Sequence, residues 1–300
     1  MTLVAGFRCQ DGLILCADTQ ETITGYAKID TDKLSGMIAV AGCVYVGGTG
    51  DSDLIDMAVD ALTDHFVMDR CPVDDWRGVE KEIKKVLTPL FQDQTQRNSF
   101  LAPEERPYAE LLIACRAKDG KTMLKVSGTK VRRVQKAQCI GTGMLIANGL
   151  VKELFDQNMT MKQAGLLAIY VMYRAKRYVD QVGGNTDILF VGDWGLTRIP
   201  TKDVQRIESW WLEVEQAGIS CTRWLTLQKP TEFDAYLLGG HIDIESFAGV
   251  LGKLKEAIAF YDAIYAEVDA VLNPNQKPES GMVTKILRIG GRSFTQAESV

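Results

Sequence analysis

Histidine is scarce in this sequence, and its scarcity excludes several common kinds of catalytic site. Only His65 and His241 occur among the 300 residues. His65 falls within an amphipathic segment, His241 follows Gly239 and Gly240, and no GxSxG-type nucleophile motif lies near either of them. A Ser-His-Asp triad and a zinc site of clustered ligands therefore have no support, and we expect no metal or other cofactor. Both histidines are interpreted as structural.

Cysteine lacks the spacing of a metal site or of a disulfide framework. The seven cysteines are an odd number without a CxxC pair, and several have apolar neighbours such as Leu15 and Ile140. This usage is typical of reduced, mostly buried thiols, and it predicts a cytoplasmic protein.

Long apolar runs and dense basic runs are also absent. No segment approaches the roughly 20 apolar residues that span a bilayer, and the chain does not start with a basic segment followed by an apolar one. The net charge is −5, and the 34 Lys and Arg residues are spread along the chain. We therefore expect a protein that binds neither membranes nor nucleic acid.

The sequence contains an alternation of strand pairs and helix pairs. Apolar runs joined by turn residues predict strand pairs, and apolar residues at helical spacing predict amphipathic helices. The predicted strands are Leu3–Cys9, Leu13–Ala17, a pair within Met37–Val46, Leu111–Ala117, Thr122–Val126 and Asp187–Val191, and the helices begin at Ser52, Trp76, Met144 and Met161. This order predicts an α+β fold, a four-layer αββα sandwich of two antiparallel sheets with helices on both outer faces.

The last hundred residues differ in character from the rest. Prolines punctuate the chain past Trp194, and helices are predicted near Val204–Gln216 and from about Asp243. The longer helix carries an apolar stripe, which packs either on the chain's own core or on a partner subunit. We divide the chain into a sandwich domain, residues 1–198, and a mainly helical C-terminal extension, residues 199–300.

Thr2 is a candidate nucleophile. Removal of the initiator methionine would leave a threonine whose hydroxyl and α-amino group belong to the same residue. The unperturbed pKa of an α-amino group lies near 8, so it accepts protons near neutral pH without a histidine. The glycine run Gly47–Gly50, predicted as a loop before a helix, lacks the lysine and hydroxyl of a P-loop.

The surrounding pattern resembles the proteasome β-type subunit family of the N-terminal-nucleophile (Ntn) hydrolase superfamily, in a bacterial or archaeal form. The resemblance covers about Thr2 to Val191. It rests on the segments Thr2 to Phe7, Asp11-Gly12, Leu13 to Asp18, Lys33, Val46 to Asp51, Gly141-Thr142-Gly143 and Val182 to Ile188.

The resemblance implies an Ntn-hydrolase fold and a set of roles in the site. Thr2 Oγ would attack an amide carbonyl while its α-amino group takes the proton, and Asp18 would hold Lys33 beside the hydroxyl. The backbone N–H of Gly47 would stabilise the oxyanion. Each of the three supporting residues also has a structural interpretation: Asp18 as a turn cap, Lys33 as a surface charge and Gly47 as part of a bend.

Three further positions near the N-terminal amine depart from the family pattern or match it only in part. Thr142 keeps the hydroxyl of a family serine, whereas Val182 stands where a second serine is common. The family aspartate aligns with Val179, so Asp180 fills that role only if the loop is one residue shorter.

We therefore expect a threonine-type Ntn hydrolase, a proteasome-like peptidase, that cleaves amide bonds after removal of Met1. Its substrate is a peptide or a small amide, and the resemblance implies a homo-oligomer, either a ring or a dimer. The alternative is a catalytically inactive proteasome-like scaffold or binding subunit that retains Met1.

Overall fold

The computed structural model describes residues 2–23, 27–39, 42–68, 75–193, 195–226, 252, 255–256, 258–266, 288–289 and 292–293. Its strands are Leu3–Arg8 (β1), Leu13–Asp18 (β2), Gln20–Ile23 (β3), Ala27–Asp30 (β4), Leu34–Ala39 (β5), Gly42–Gly50 (β6), Ala109–Ala117 (β7), Gly120–Ser127 (β8), Lys130–Arg133 (β9), Ala137–Gly141 (β10), Thr186–Gly192 (β11), Gly195–Arg198 (β12), Arg288–Ile289 (β13) and Arg292–Ser293 (β14). Its helices are Ser52–Thr63 (α1), Trp76–Arg97 (α2), Met144–Leu154 (α3), Met161–Tyr178 (α4) and Thr201–Thr226 (α5), with a π-helical turn, Asp64–Met68, directly after α1.

Two five-stranded antiparallel sheets form the centre of the molecule. Their strand orders are β10-β1-β2-β11-β12 and β5-β6-β7-β8-β9. Helices α3 and α4 pack on the first sheet, and α1 and α2 pack on the second. Between the sheets lies an apolar layer that includes Val4, Leu15, Leu112 and Ile140, all fully buried. The predicted four-layer αββα sandwich is confirmed.

Helix α4 shows how the sequence starts an element at a defined residue. Thr160 Oγ accepts from the N–H of Gln163 at 3.3 Å, and Gln163 Oε1 accepts from the N–H of Thr160 at 3.0 Å. This reciprocal pair is the capping box that the sequence predicts. Small buried residues, Ala164 and Ala168 among them, then let α4 approach the first sheet closely.

The glycine run Gly47–Gly50 was predicted wrongly as a loop. It forms the end of β6 and pairs with β7 as far as Gly50 and Ala109. A Cβ at Gly47 would lie 2.6 Å from Val4 Cγ1, so the glycine lets the two sheets approach each other closely at this point. The sequence analysis also did not predict the strands β3, β4, β9, β10 and β12.

The described part of the C-terminal region is mainly helical, with the short strand pair β13 and β14 in addition. α5 packs on α4, where Glu215 accepts hydrogen bonds from Tyr173 and Tyr178. It also contacts β11, where Thr186 donates to Glu208 Oε1. Residues 258–266 are helical and bury Tyr261 in the core beneath α4. Most of the predicted helix from Asp243, the end of its apolar stripe and His241 lie outside the described residues.

No helix in the described part of the chain combines the length and the apolarity needed to cross a membrane. The described cysteines are free thiols, and four of them are buried in the two sheets. Burial raises the pKa of each of Cys16, Cys115 and Cys139 above the ordinary thiol value. These three side chains are therefore inert packing groups.

Candidate active site

Asp18 links three segments of the chain at the start of β1. Its Oδ1 accepts a hydrogen bond from the N–H of Leu3 at 2.8 Å and another from Lys33 Nζ at 3.1 Å. Its Oδ2 accepts from the N–H of Gly183 at 3.1 Å. Asp18 is fully buried, so these charge-assisted bonds replace its lost hydration. The carboxylate thereby sets the position of the backbone next to Thr2.

The register of the first sheet explains why Asp18 occupies this position. Val4 of β1 pairs with Ala17 of β2, so Asp18 at the end of β2 lies opposite Leu3 at the start of β1. On its other side, Asp18 pairs with Thr186 at the start of β11. The last residue of β2 therefore lies between the beginnings of two other strands.

Lys33 is held with little exposure to solvent. Its side chain is 10% exposed, and Nζ also donates to the carbonyl oxygen of Gln20. Burial lowers the pKa of Lys33, and although the negative charges of Asp18 and nearby carboxylates oppose this, the net direction is down. The ammonium therefore releases its proton more readily than a surface lysine does.

The backbone of Thr2 is fixed by the end of β10. Thr2 is 4% exposed, and its carbonyl oxygen accepts from the N–H of Thr142 at 2.9 Å. Gly141 has φ +94°, and a Cβ there would lie only 2.1 Å from the Thr2 oxygen. Glycine is thus required beside Thr2 both for its backbone conformation and for space. Thr142 contributes this backbone N–H, while the residue itself is exposed.

Gly47 lies where β5 stops pairing with β6. The β5–β6 ladder ends at the pair Leu34 and Gly47, directly after Lys33. β6 continues to Gly50 with β7 as its strand partner. In the described part of the chain, the other edge of β6 is therefore open from Gly48 onward, next to Lys33.

The structure does not bring Asp180 to Asp18 or Lys33. Asp180 is exposed, and its carbonyl oxygen accepts from Lys28 Nζ at 3.3 Å. Val182 is buried, and its Cγ2 lies 3.0 Å from where a Cβ at Gly143 would be. Neither residue supplies a polar side chain to the carboxylate at the start of β1.

The remaining contributions come from the backbone. The sequence analysis assigned no role to the N–H groups of Leu3 and Gly183 or to the carbonyl of Gln20, yet all three contact Asp18 or Lys33. Peptide groups are the same at every position, so no residue type could have indicated them.

No metal-ligand arrangement accompanies this site. Within the described residues, no group of three or more His, Cys, Asp and Glu side chains is placed to hold a metal ion. His65 Nε2 lies 2.8 Å from Glu82 Oε2, which joins the π-helical turn to α2.

Comparison with protein families identifies the family to which this chain belongs. The model of the family "Proteasome subunit" matches residues 2–191. The chain belongs to the proteasome subunit family. A proteasome subunit beta from Methanosarcina thermophila is 23% identical over 207 residues, which are 68% of this chain and 92% of that protein. A proteasome subunit alpha from Methanococcus maripaludis is 23% identical over 209 residues, 69% of this chain and 76% of that protein.

Solved structures of proteasome-like proteins share the fold. Anbu, an ancestral beta-subunit, from Yersinia bercovieri superposes with a TM-score of 0.61 at 13% identity over 76% of this chain and 99% of that chain. The helical assembly of the Anbu complex from Pseudomonas aeruginosa gives 0.63 at 12% identity over 77% and 99%. Helices α1 to α4 and the two sheets of our chain are thus a proteasome-type sandwich, as the sequence predicts.

Proposed function

We propose that this proteasome-family chain is a threonine-type Ntn hydrolase that cleaves amide bonds in peptides after removal of Met1. The observation that carries the proposal is the carboxylate of Asp18. It binds the N–H that follows Thr2 and the ammonium of Lys33 with the same oxygen atom. This places a buried cation within a few ångström of the first residue of β1.

The chemistry follows from the groups at that position. With Met1 removed, the α-amino group of Thr2 accepts the hydroxyl proton as Oγ attacks the amide carbonyl. The ammonium of Lys33 stabilises the developing alkoxide, and Asp18 keeps the ammonium in place. The N–H of Gly47 is the proposed donor to the oxyanion. The amine then protonates the leaving group, and water hydrolyses the acyl-enzyme ester at Thr2.

The open edge of β6 favours an extended peptide as the substrate. A peptide that adds to this edge beyond Gly47 pairs its backbone with β6 and passes Lys33. A small amide lacks the backbone needed for such pairing. Peptides are therefore the proposed substrate class, and a small amide is the alternative that the substrate assay distinguishes.

We also propose that the hydrolase acts as a homo-oligomer in the cytoplasm. Support comes from the Anbu complex of Pseudomonas aeruginosa, which is described as a helical assembly. In this proposal residues 1–198 form the hydrolase domain, and residues 199–300 form an extension, of which α5 and residues 258–266 contact α4.

A second candidate is an inactive scaffold that retains Met1. The exposure of Asp180 and the burial of Val182 favour it, because both leave the N-terminal amine without polar side chains that family members usually provide. Thr142 also contributes through its backbone N–H to Thr2. The two candidates differ in the state of the N-terminus.

The test is the intact mass of the protein, purified without an N-terminal tag, before and after incubation with a threonine-reactive epoxyketone or β-lactone. The hydrolase proposal predicts the loss of one methionine and a single covalent adduct, both followed by cleavage of fluorogenic peptides. Thr2→Ala is the matched control: it should fold, remain unlabelled and cleave nothing. Retained Met1 with no adduct contradicts the hydrolase proposal and supports the scaffold.

A further inference from the structure

A basic groove lies between the edges of the two sheets, on the side of β9 and β10. Each of these strands is the edge strand of its sheet in the described structure. The groove has a volume of about 670 Å³ and is lined by β8, β9, β10 and the connection between the last two. Five of its lining residues are cationic, namely Lys125, Lys130, Arg132, Arg133 and Lys136, and none is acidic.

Little within the described residues neutralises this charge. Among the described lining residues, Lys125 alone forms an ion pair with another described residue, Glu110, at 2.8 Å. Arg133 lies over the ring of Trp76, 4.1 Å from its centroid, and because this partner is neutral the net charge of the groove is unchanged. Burial and the charge of Arg133 lower the pKa of Arg8, which donates to the segment behind the groove. The groove is thus strongly positive in a chain whose net charge is −5.

An acidic face lies on α1. Asp53, Asp56 and Asp60 are exposed and recur at helical spacing on the side of α1 that faces away from the core. Burial raises the pKa of Asp56, and the negative charges of Asp60, Asp53 and Glu21 raise it further. We call Asp53, Asp56, Asp60 and Glu21 the acidic face.

The acidic face and the basic groove belong to different parts of the sandwich. α1 packs over β6 and β7, whereas α2 packs over β7, β8 and β9. Helix α2 therefore lies between α1 and the strands that line the groove.

We propose that the basic groove of one copy binds the acidic face of a second copy of this chain, head to tail. The two oppositely charged surfaces are different parts of the chain, so the contact is heterologous and its repetition produces a closed ring or a helical filament. This inference names the surfaces of the proposed homo-oligomer, but it does not depend on the chemistry of Thr2.

Paired charge reversals test the proposal. The groove variant is Arg132→Glu/Lys136→Glu, and the helix variant is Asp56→Lys/Asp60→Lys; all four positions are exposed, so the fold should tolerate the changes. Light scattering coupled to size-exclusion chromatography gives the mass of each. We expect the wild type to be oligomeric at low salt and each variant alone to associate about 100-fold more weakly, because like charges then meet.

An equimolar mixture of the two variants decides the pairing. In the mixture both kinds of contact are complementary again, so the oligomer should return. The control is Lys81→Glu/Lys202→Glu, at two exposed sites outside the groove. It changes the net charge of the chain by the same amount as the groove variant does, and it should keep the wild-type oligomer mass. An oligomer unaffected by either reversal, or a mixture that stays dissociated, overturns the assignment of these surfaces.

A wild type that is monomeric at every salt concentration overturns the assembly itself. Failure of the hydrolase proposal is a separate result, because the covalent adduct at Thr2 is measured by mass on the same wild-type protein. The two failures are therefore distinguishable.

Discussion

Replacing Asp18 by asparagine removes a negative charge from a fully buried position and changes the shape of the side chain very little. The carboxylate accepts from Leu3, Lys33 and Gly183, and Lys33 is itself only 10% exposed. An asparagine has one acceptor oxygen for these three donors, and its amide group faces at least one of them. Removing one partner of a buried pair costs about 3–5 kcal/mol, because the other charge stays buried without compensation.

For a domain of about 200 residues, the size of residues 1–198, that loss corresponds to a decrease in Tm of about 6 to 20 °C. The assay is urea unfolding at pH 7, followed by circular dichroism, of the wild type, Asp18→Asn, Lys33→Met and the double variant. If the two side chains act as a pair, the double variant should lose clearly less stability than the two single losses added together.

The matched control is Asp93→Asn, which breaks the exposed pair between Asp93 and Arg97 on α2. Its cost should be at most about 0.5 kcal/mol. If Asp18→Asn is as stable as the wild type, or if the losses of Asp18→Asn and Lys33→Met are additive, the buried pair does not exist as described. The candidate site would then lose its central contact.

Three other predictions follow from the same structure. Gly141→Ala should abolish labelling of Thr2 by the epoxyketone, because its Cβ would collide with the Thr2 carbonyl oxygen. Gly128→Ala, also at positive φ but in open space, is the control and should label normally. Equal labelling of the two variants would contradict this prediction. Glu215→Gln should speed hydrogen exchange in α5 at neutral pH. Burial alone would raise the pKa of Glu215, but its contacts with two tyrosine hydroxyls and two guanidinium groups outweigh this and lower the pKa. Acidification through that pKa should therefore also speed exchange in α5 of the wild type. Unchanged exchange both in Glu215→Gln and in the acidified wild type would refute this. Folding lowers the pKa of Lys33, so between that pKa and about 10.4 the unfolded chain binds more protons than the folded one, and the free energy of unfolding should rise with pH in this range. Lys33→Met should remove this rise. Identical pH profiles of unfolding for the two proteins would count against the burial of the Lys33 amine.

Most of the sandwich could be predicted because its signals are local. The Asp-Gly turn between β7 and β8 and the capping box of α4 each depend on residues within a few positions of one another. The short strands β3, β4 and β12 carry no apolar alternation long enough to identify them. Gly47–Gly50 read as a loop for a similar reason: the need for glycine at Gly47 comes from Val4, a residue on the other sheet.

For the candidate site, the sequence indicated the chemically active side chains but not the backbone N–H groups that bind Asp18. The resemblance singled out Thr2, Asp18 and Lys33, and the structure brings the last two together beside the start of β1. Asp180 fits the family pattern only with a shorter loop, and the structure leaves it exposed. Its proposed role near the amine therefore has no geometric support.

The sequence by itself determined the helices, most of the longer strands and the side chains that can do chemistry, because periodicity, turn residues and capping depend on near neighbours. The tertiary structure alone decided which backbone groups meet Asp18. The N–H of Leu3 and that of Gly183 reach one carboxylate only through the pairing of β1, β2 and β11. Likewise, the cations of residues 125–136 line a groove only because β9 and β10 are the edge strands of the two sheets.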